Sequence, residues 1–532
     1  MKANDLLDER TAELLGFEWL SERLAPKSPY GARIFARIVP FRRGDEEAAQ
    51  GRAQRIAAVA AEIKADRIAA VRIELERLAD VSSAVARASI EETLHDPDFL
   101  ELRRFCESVE RIDELLAGSA LPEIENDATS AVLAALDAGR TGASEFYLAD
   151  AFDAGLAAAR AVLSQAQAEL DAVRGRETAR IAHALGRSDV GDDFIVMRAD
   201  VHDALPAGLR VVREAPTYLL CAIEHGEAFL AALGRRQQAF DAVAAAEERV
   251  RAQLSAIVGR QATGMNAAAV AIGQLDVTLA AVNFSQRYDC SAASVSQESA
   301  LRFERARFLP IDNELTVAGR SFVPIDLDLA GTAVLTGPNM GGKSVSLQTC
   351  GFLALLVAFG VPVPAAAASI ALFDRIAWLG LGGEVHAGGL LSSFARELVT
   401  LKAILSDDAE RLLILADEFA RTTTPHEGRA LVIALLERLR ERRACALVAT
   451  HLQGIASAAA VRHFAVRGLR EIPRPPEAAD LSAALRQLAE AMDYRIVAVE
   501  GDDAARADAI ALAELLGMDA GFVEAAYRAL SQ

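Results

Sequence analysis

The chain has 532 residues, of which 52% are hydrophobic and 25% charged, a globular composition long enough for roughly two to four domains. Its 75 acidic residues outnumber 56 basic ones for a net charge of −19. That balance speaks against a broadly basic, phosphate-neutralising surface but leaves room for a local basic patch.

Taken in chain order, residues 1–150 read as helical and are rich in Ala, Leu, Glu and Arg. The start, Met1-Lys-Ala-Asn-Asp-Leu-Leu-Asp-Glu-Arg, carries no apolar core of a signal peptide, so a cytoplasmic location is expected. Helical spacing is clear over Glu46–Arg87 and over Pro97–Leu116, where Leu100, Phe105, Val109 and Ile112 recur on one face. Breaks fall near Asp96-Pro97, Gly118-Ser119 and Gly139 to Gly142. Long helices are then expected over Leu148–Leu185 and Leu219–Val258, with short strands over Asp193–Arg198 and Gly208–Arg213 between them. Residues 189–222 hold six acids (Asp189, Asp192, Asp193, Asp200, Asp203, Glu214) against three arginines (Arg198, Arg210, Arg213).

Further on, Gly337-Pro-Asn-Met-Gly-Gly-Lys-Ser344 fits the pattern G-x-x-x-x-G-K-[ST]. Thr332–Thr336 reads as the buried strand such a loop needs, and Val345–Ala358 as the helix after it. Gly337, Gly341 and Gly342 remove the Cβ atoms that would keep a backbone from phosphate, and Pro338, Asn339 and Met340 complete the loop. Backbone N–H groups and the positive helix end then face a polyphosphate. Lys343 is placed to reach its terminal phosphates and the Ser344 hydroxyl to bind Mg²⁺. No charge occurs between Ser344 and Phe373, yet Gly360-Val-Pro-Val-Pro364 divides that stretch into a buried helix and a strand, so no membrane span is expected.

A triphosphatase also needs a carboxylate for the metal and a base for water. The apolar run after Arg411 ends in Asp417-Glu418, where open α/β sheets place ligands. Asp417 suits the metal, and Glu418 suits proton acceptance from the attacking water. A third apolar run, Ala444–Ala449, ends in Thr450-His451, which makes His451 a candidate contact to the γ-phosphate or the water. The five cysteines (106, 221, 290, 350 and 445) form no C-x-x-C pair and are odd in number, as a reducing compartment favours.

These residues resemble the ATPase domain of the MutS family over about 297–532. The loop at Thr336–Ser344 is similar to that family's T-G-P-N-M-G-G-K-S signature, and Ser392-Ser-Phe-Ala-Arg-Glu397 to its S-T-F-x-x-E segment. Asp417 to Gly428 resembles its D-E-x-x-R-G-T-S-T-x-D-G run, and Thr450-His451 its T-H. Phe322-Val-Pro324 is similar to a segment beside the nucleotide base, which implies that Phe322 stacks on adenine. Gly273 to Asn283 resembles a helix returning toward the ATPase, and Ala509 to Ala529 a closing helix-turn-helix that pairs subunits.

The resemblance implies a fold: an α/β P-loop, ABC-type ATPase domain at 297–532, preceded by a mainly α-helical core at 1–150. Lever helices at 151–296 would carry a cap near 189–222. It implies ATP, Mg²⁺ and a homodimer in which Ser392 of one subunit faces the phosphate loop of the other. Four features depart from the family. The chain begins in helices rather than a mismatch-reading α/β domain, and its F-x-E matches, Phe105-Cys-Glu107 and Phe522-Val-Glu524, fall within amphipathic helices. The cap is acidic. Arg421-Thr-Thr-Thr replaces R-G-T-S, and Phe308 stands where many members have a His. The nuclease-like Smr domain of another branch of that family is not expected in this sequence.

Two functions follow from the resemblance. One is a DNA-acting dimeric clamp of mismatch-repair or recombination type. The other is an ATP-dependent remodelling factor, similar to MutS-like proteins proposed to reactivate a cobalamin-dependent lysine aminomutase, for which an acidic cap is no handicap. A scaffold without turnover is disfavoured, because Asp417 and Glu418 are both present.

Overall fold

The computed structural model describes all residues except 3, 122–123, 139–145, 202–203, 339–340, 381–392, 470–491, 501–509, 511–512, 515–517 and 531–532. The described residues divide into two compact units. The first comprises Met1–Arg77, Leu115–Glu123 and Ile272–Gln532, and the second Leu78–Glu114 and Ile124–Ala271.

The apolar runs of the first unit form a six-stranded sheet. Its order is Met492–Val499, Arg462–Leu469, Thr332–Thr336, Cys445–Ala449, Leu412–Asp417 and Arg375–Gly380. All neighbours pair in parallel except the antiparallel edge strand Met492–Val499. Parallel strands buried on both faces need apolar residues at every position, and here the two faces feed two cores. Leu335, Leu413, Leu415 and Leu447 point into one. Val334, Ile414, Ala416 and Val448 point into the other, under Val432, Leu435 and Leu439 of helix Pro425–Glu441.

Helix Lys343–Ala358 is apolar on all sides, and from Ser346 onward every residue except Gln348 is buried. It packs on strands Leu412–Asp417 and Cys445–Ala449 of the large sheet and on Ala300–Ala306 and Ala367–Ala371 of a second, four-stranded sheet. The first helices of the chain close the same core. Leu6, Leu15, Leu20, Ile56 and Val59 cluster with Leu347 and Phe352, and Gln348 Nε2 donates to Leu14 O at 2.9 Å. The compact units therefore do not follow the contiguous 1–150, 151–296 and 297–532 spans expected above, since residues 1–77 cluster with 272–532. Periodicity shows that these helices have an apolar face, but not which surface covers it.

In the second unit, helices Ala154–Leu185 and Glu227–Arg260 pack along each other through Leu170, Val173 and Ala232. Arg160–Glu247 (2.8 Å) and Arg235–Glu169 (2.6 Å) link them further. Between them lies an antiparallel sheet in the order Asp193–Met197, Tyr218–Ile223, Leu209–Glu214. The second long helix, expected from Leu219, begins only at Glu227, and Tyr218–Ile223 is a strand. Its alternating burial shows the period of a strand, with Leu219, Cys221 and Ile223 facing in, and Gly226 caps the helix that follows. The helical stretch Glu46–Arg87 consists of three helices, Glu46–Glu62, Ala65–Arg77 and Ser82–Ser89. In Asp96–Leu116 the buried stripe begins at Phe99 rather than Leu100.

Among the described residues one helix, Ala262–Arg287, is long and apolar enough to cross a bilayer, and 61% of its most apolar window is buried inside the protein. Its Asp276 is fully buried and accepts hydrogen bonds from Lys27 N (2.9 Å) and Ser28 N (2.6 Å), the arrangement of a core helix with a satisfied carboxylate.

Candidate nucleotide-binding site

Strand Thr332–Thr336 runs into the glycine loop, and helix Lys343–Ala358 starts directly after it. Gly342 caps that helix at φ +84°, in the left-handed region where a Cβ is unfavourable. A Cβ there would also lie 3.0 Å from Cδ1 of Tyr494. The Lys343 ammonium is buried and donates to Gly337 O (2.9 Å) and Pro338 O (3.0 Å), so it lies inside the loop it belongs to. Burial lowers its pKa, against the opposing pull of Glu418 and Asp417.

Two strands away, Leu412–Asp417 ends beside this loop. Ser344 Oγ donates to Asp417 Oδ2 at 2.7 Å. A hydroxyl and a carboxylate brought together at a helix N-terminus form a hard-oxygen pair, and the remaining positions can be filled by phosphate and water, so the donor set fits Mg²⁺. Desolvation raises the Asp417 pKa, the hydrogen bond from Ser344 works in the other direction, and the charge of Glu418 adds to the rise.

The chain turns sharply after Asp417. Glu418 and Ala420 both adopt left-handed backbone, at φ +50° and +61°, a conformation that costs free energy in non-glycine residues and needs outside support. That support comes from Glu418 N to Ala449 O (3.0 Å) and Ala420 N to Glu397 Oε2 (3.1 Å). Gly380, paired with Asp417, completes the brace. It has φ +127°, a Cβ there would come within 2.1 Å of Asp417 O, and its own carbonyl accepts from Arg10. The turn aims the Glu418 carboxylate at the loop, with Oε1 3.8 Å from Lys343 Nζ and Oε2 accepting from Arg421 Nη1 at 2.9 Å.

Gly337, Pro338, Gly341, Gly342, Lys343 and Ser344 thus form one loop, and Asp417 and Glu418 meet it. Thr450 follows strand Cys445–Ala449 and donates through its backbone N to Leu335 O at 3.0 Å, and His451 is exposed just beyond. Phe322 is half-buried against the main core, ahead of strand Ile325–Ala330. Phe308 is a core residue, edge-on to Phe352 at 5.4 Å. Asn339, Met340 and Ser392 lie outside the described residues, as do Gly139 to Gly142, Asp203 and much of the expected closing helix-turn-helix. Among the described residues no group of three or more His, Cys, Asp or Glu is arranged to hold a metal by itself.

Four neighbours escaped the sequence reading as parts of this site. Arg421 was noted only as part of a departing motif, and Glu397 only as a motif letter. Tyr494 and His463, whose Nε2 is 2.8 Å from Thr336 Oγ1, come from the last two strands of the sheet. No local pattern connects those strands to the loop.

At the ends of an open, mainly parallel sheet, a glycine loop and a helix N-terminus thus face an Asp-Glu strand end, where open α/β sheets place their ligands. Residues 333–530 match the family model for MutS domain V. Over 207 residues the chain is 34% identical to the endonuclease MutS2 of Geobacillus thermodenitrificans, 33% to that of Pelotomaculum thermopropionicum and 31% to that of Clostridium botulinum strain Loch Maree. Each match covers 38% of this chain and 26% of the relative. This C-terminal part of the chain is thus similar to domain V of the MutS family.

Proposed function

We propose that this protein binds ATP with Mg²⁺ and hydrolyses it, as a dimer that couples nucleotide state to opening and closing on a DNA client. The observation that carries the nucleotide reading is the meeting of Lys343, Ser344, Asp417 and Glu418 at one sheet end, with contacts of 2.7 to 3.8 Å. Mg²⁺, held by Ser344 Oγ and the Asp417 carboxylate, would neutralise charge on the terminal phosphates. Lys343 exchanges its loop carbonyls for phosphate oxygens. Glu418, oriented by Arg421, accepts the proton of the attacking water, and His451 at the neighbouring strand end contacts the water or the γ-phosphate. Phe322 stacks on adenine, and Ser392 of the partner subunit completes the site in trans. The MutS2 name of the relatives supports DNA as the client.

A protein client is the second reading, the remodelling of an aminomutase-like enzyme among its forms, and the cap favours it. Of the three cap arginines Arg198 pairs with Glu214 at 2.8 Å, and next to the cap Arg174 and Arg187 pair with Asp192 and Asp189, whereas Arg210 and Arg213 are exposed. Ile195, Met197 and Val212 are about half exposed and present an apolar surface better suited to protein than to a phosphate backbone.

Nucleotide binding and turnover of three forms of the protein test both parts. Lys343→Ala is expected to lose ATP binding, whereas Glu418→Gln keeps binding and loses turnover. Normal turnover by Glu418→Gln would remove the base assignment. Salt-sensitive stimulation of wild-type turnover by DNA supports the DNA client, and indifference to duplex, mismatched and branched DNA supports the protein client.

A further inference from the structure

In the first unit, away from the phosphate loop, the end of helix Phe17–Arg23 and the turn after it meet helix Ala65–Arg77 and the last turns of helix Ala262–Arg287. They enclose a cavity of about 280 Å³ whose lining includes Arg23, Lys27, Arg72, Arg287 and Tyr288. Four of its ten lining residues are cations and one, Glu22, is an acid. Arg72 Nη1 and Tyr288 Oη are both buried without a hydrogen-bond partner among the described residues. Buried donors are nearly always satisfied, because leaving one without a partner is costly, so two orphans in one small cationic cavity form an unusual concentration.

The neighbouring acids do not meet this need. Glu22 pairs with Arg23 at 3.1 Å, and Arg23 also lies over the Trp19 ring. Glu76 takes Lys27 at 3.2 Å. Asp276, whose charge favours the cationic form of Arg72, has its oxygens on the Lys27 and Ser28 amides. Burial outweighs the pull of Asp276 and Glu76 and lowers the Arg72 pKa. The guanidinium thus carries a desolvation cost that the protein leaves uncompensated.

We propose that this cavity is a binding site for a small phosphate-type oxyanion, distinct from the nucleotide site. Arg72 and Tyr288 donate to the anion, and Arg23, Lys27 and Arg287 supply the surrounding field. Guanidinium and phenol donors match the several acceptor oxygens of phosphate. The volume admits inorganic phosphate or pyrophosphate and is small for a whole nucleotide.

The test uses the full-length chain carrying Lys343→Ala, which silences the phosphate loop, so a failure here says nothing about the nucleotide reading. Inorganic phosphate and pyrophosphate are titrated by calorimetry and by thermal unfolding at constant ionic strength, with chloride as the control. Saturable binding and an anion-dependent rise in Tm are expected. Arg72→Gln should weaken binding about tenfold or more, the loss of a charge-assisted hydrogen bond. Tyr288→Phe removes only the orphan hydroxyl. It should leave the anion-free Tm unchanged or higher and reduce the anion-dependent rise, a split that a purely structural tyrosine does not produce. Absence of saturable binding in the Lys343→Ala protein, or binding unaffected by both further substitutions, overturns the proposal.

Discussion

At the residue scale, Glu418 is held from both sides, by Lys343 at 3.8 Å and by Arg421 at 2.9 Å, on a backbone that is left-handed at φ +50°. Only a base in one orientation can work on a water fixed by other groups. Arg421→Ala should therefore lower kcat by about 10- to 100-fold with little change in KM, since misplacement of about 1 Å carries that cost. An unchanged kcat, measured at saturating ATP, would show that the ion pair is incidental. Glu397 acts on the same turn through Ala420 N. It is 2% exposed with Oε1 buried and without a partner among the described residues, and burial raises its pKa above 4.5. A carboxyl with a raised folded-state pKa ionises more readily in the unfolded chain. Its contribution is thus fully present below about 4.5 and is lost as pH rises through the folded value. Glu397→Gln removes that dependence. Denaturation midpoints should show the variant gaining on the wild type from pH 4 to pH 8, and a flat difference would refute the burial argument.

Among elements, helix Lys343–Ala358 couples the site to the N-terminal helices. A Cβ on Gly351 would lie 2.4 Å from Leu15 Cδ2 and 2.9 Å from Leu415 Cδ1, so the helix approaches both neighbours only because this residue lacks one. Alanine would gain about 1 kcal/mol of helix propensity, but overpacking costs about 1–3 kcal/mol. Gly351→Ala should therefore lower stability, and Leu15→Ala in the same chain should recover part of the loss, so that a double-mutant cycle reads non-additive. Additive losses would mean that Leu15 and Gly351 do not share a packing surface. The helix itself was legible as an unbroken apolar run behind a glycine loop, as were the strands ending at Thr336, Asp417 and Ala449. Strand Tyr218–Ile223 was not, because six apolar residues satisfy a strand and a buried helix equally until their pairing partner is known.

At the scale of the molecule, a net charge of −19 and a cap that holds six acids against three arginines offer little net positive charge to a DNA backbone. If a protein docks on the cap, Met197→Glu, at a position 47% exposed, should keep the fold and basal ATP turnover yet abolish stimulation by the client. If DNA is the client, the same substitution should matter little, and salt should matter more.

Local sequence alone determined the glycine loop, the Asp417-Glu418 pair, the strands behind them and the family they resemble. Each depends on residue types at fixed short spacing beside an apolar run. Tertiary structure alone decided that residues 1–77 share a core with 272–532, and that Arg421, Glu397, His463 and Tyr494 gather around the loop. It also decided that Arg72 and Tyr288 share a cationic cavity. These are contacts between segments distant in sequence, set by which apolar surfaces cover one another, and no periodicity within a single segment encodes its partner.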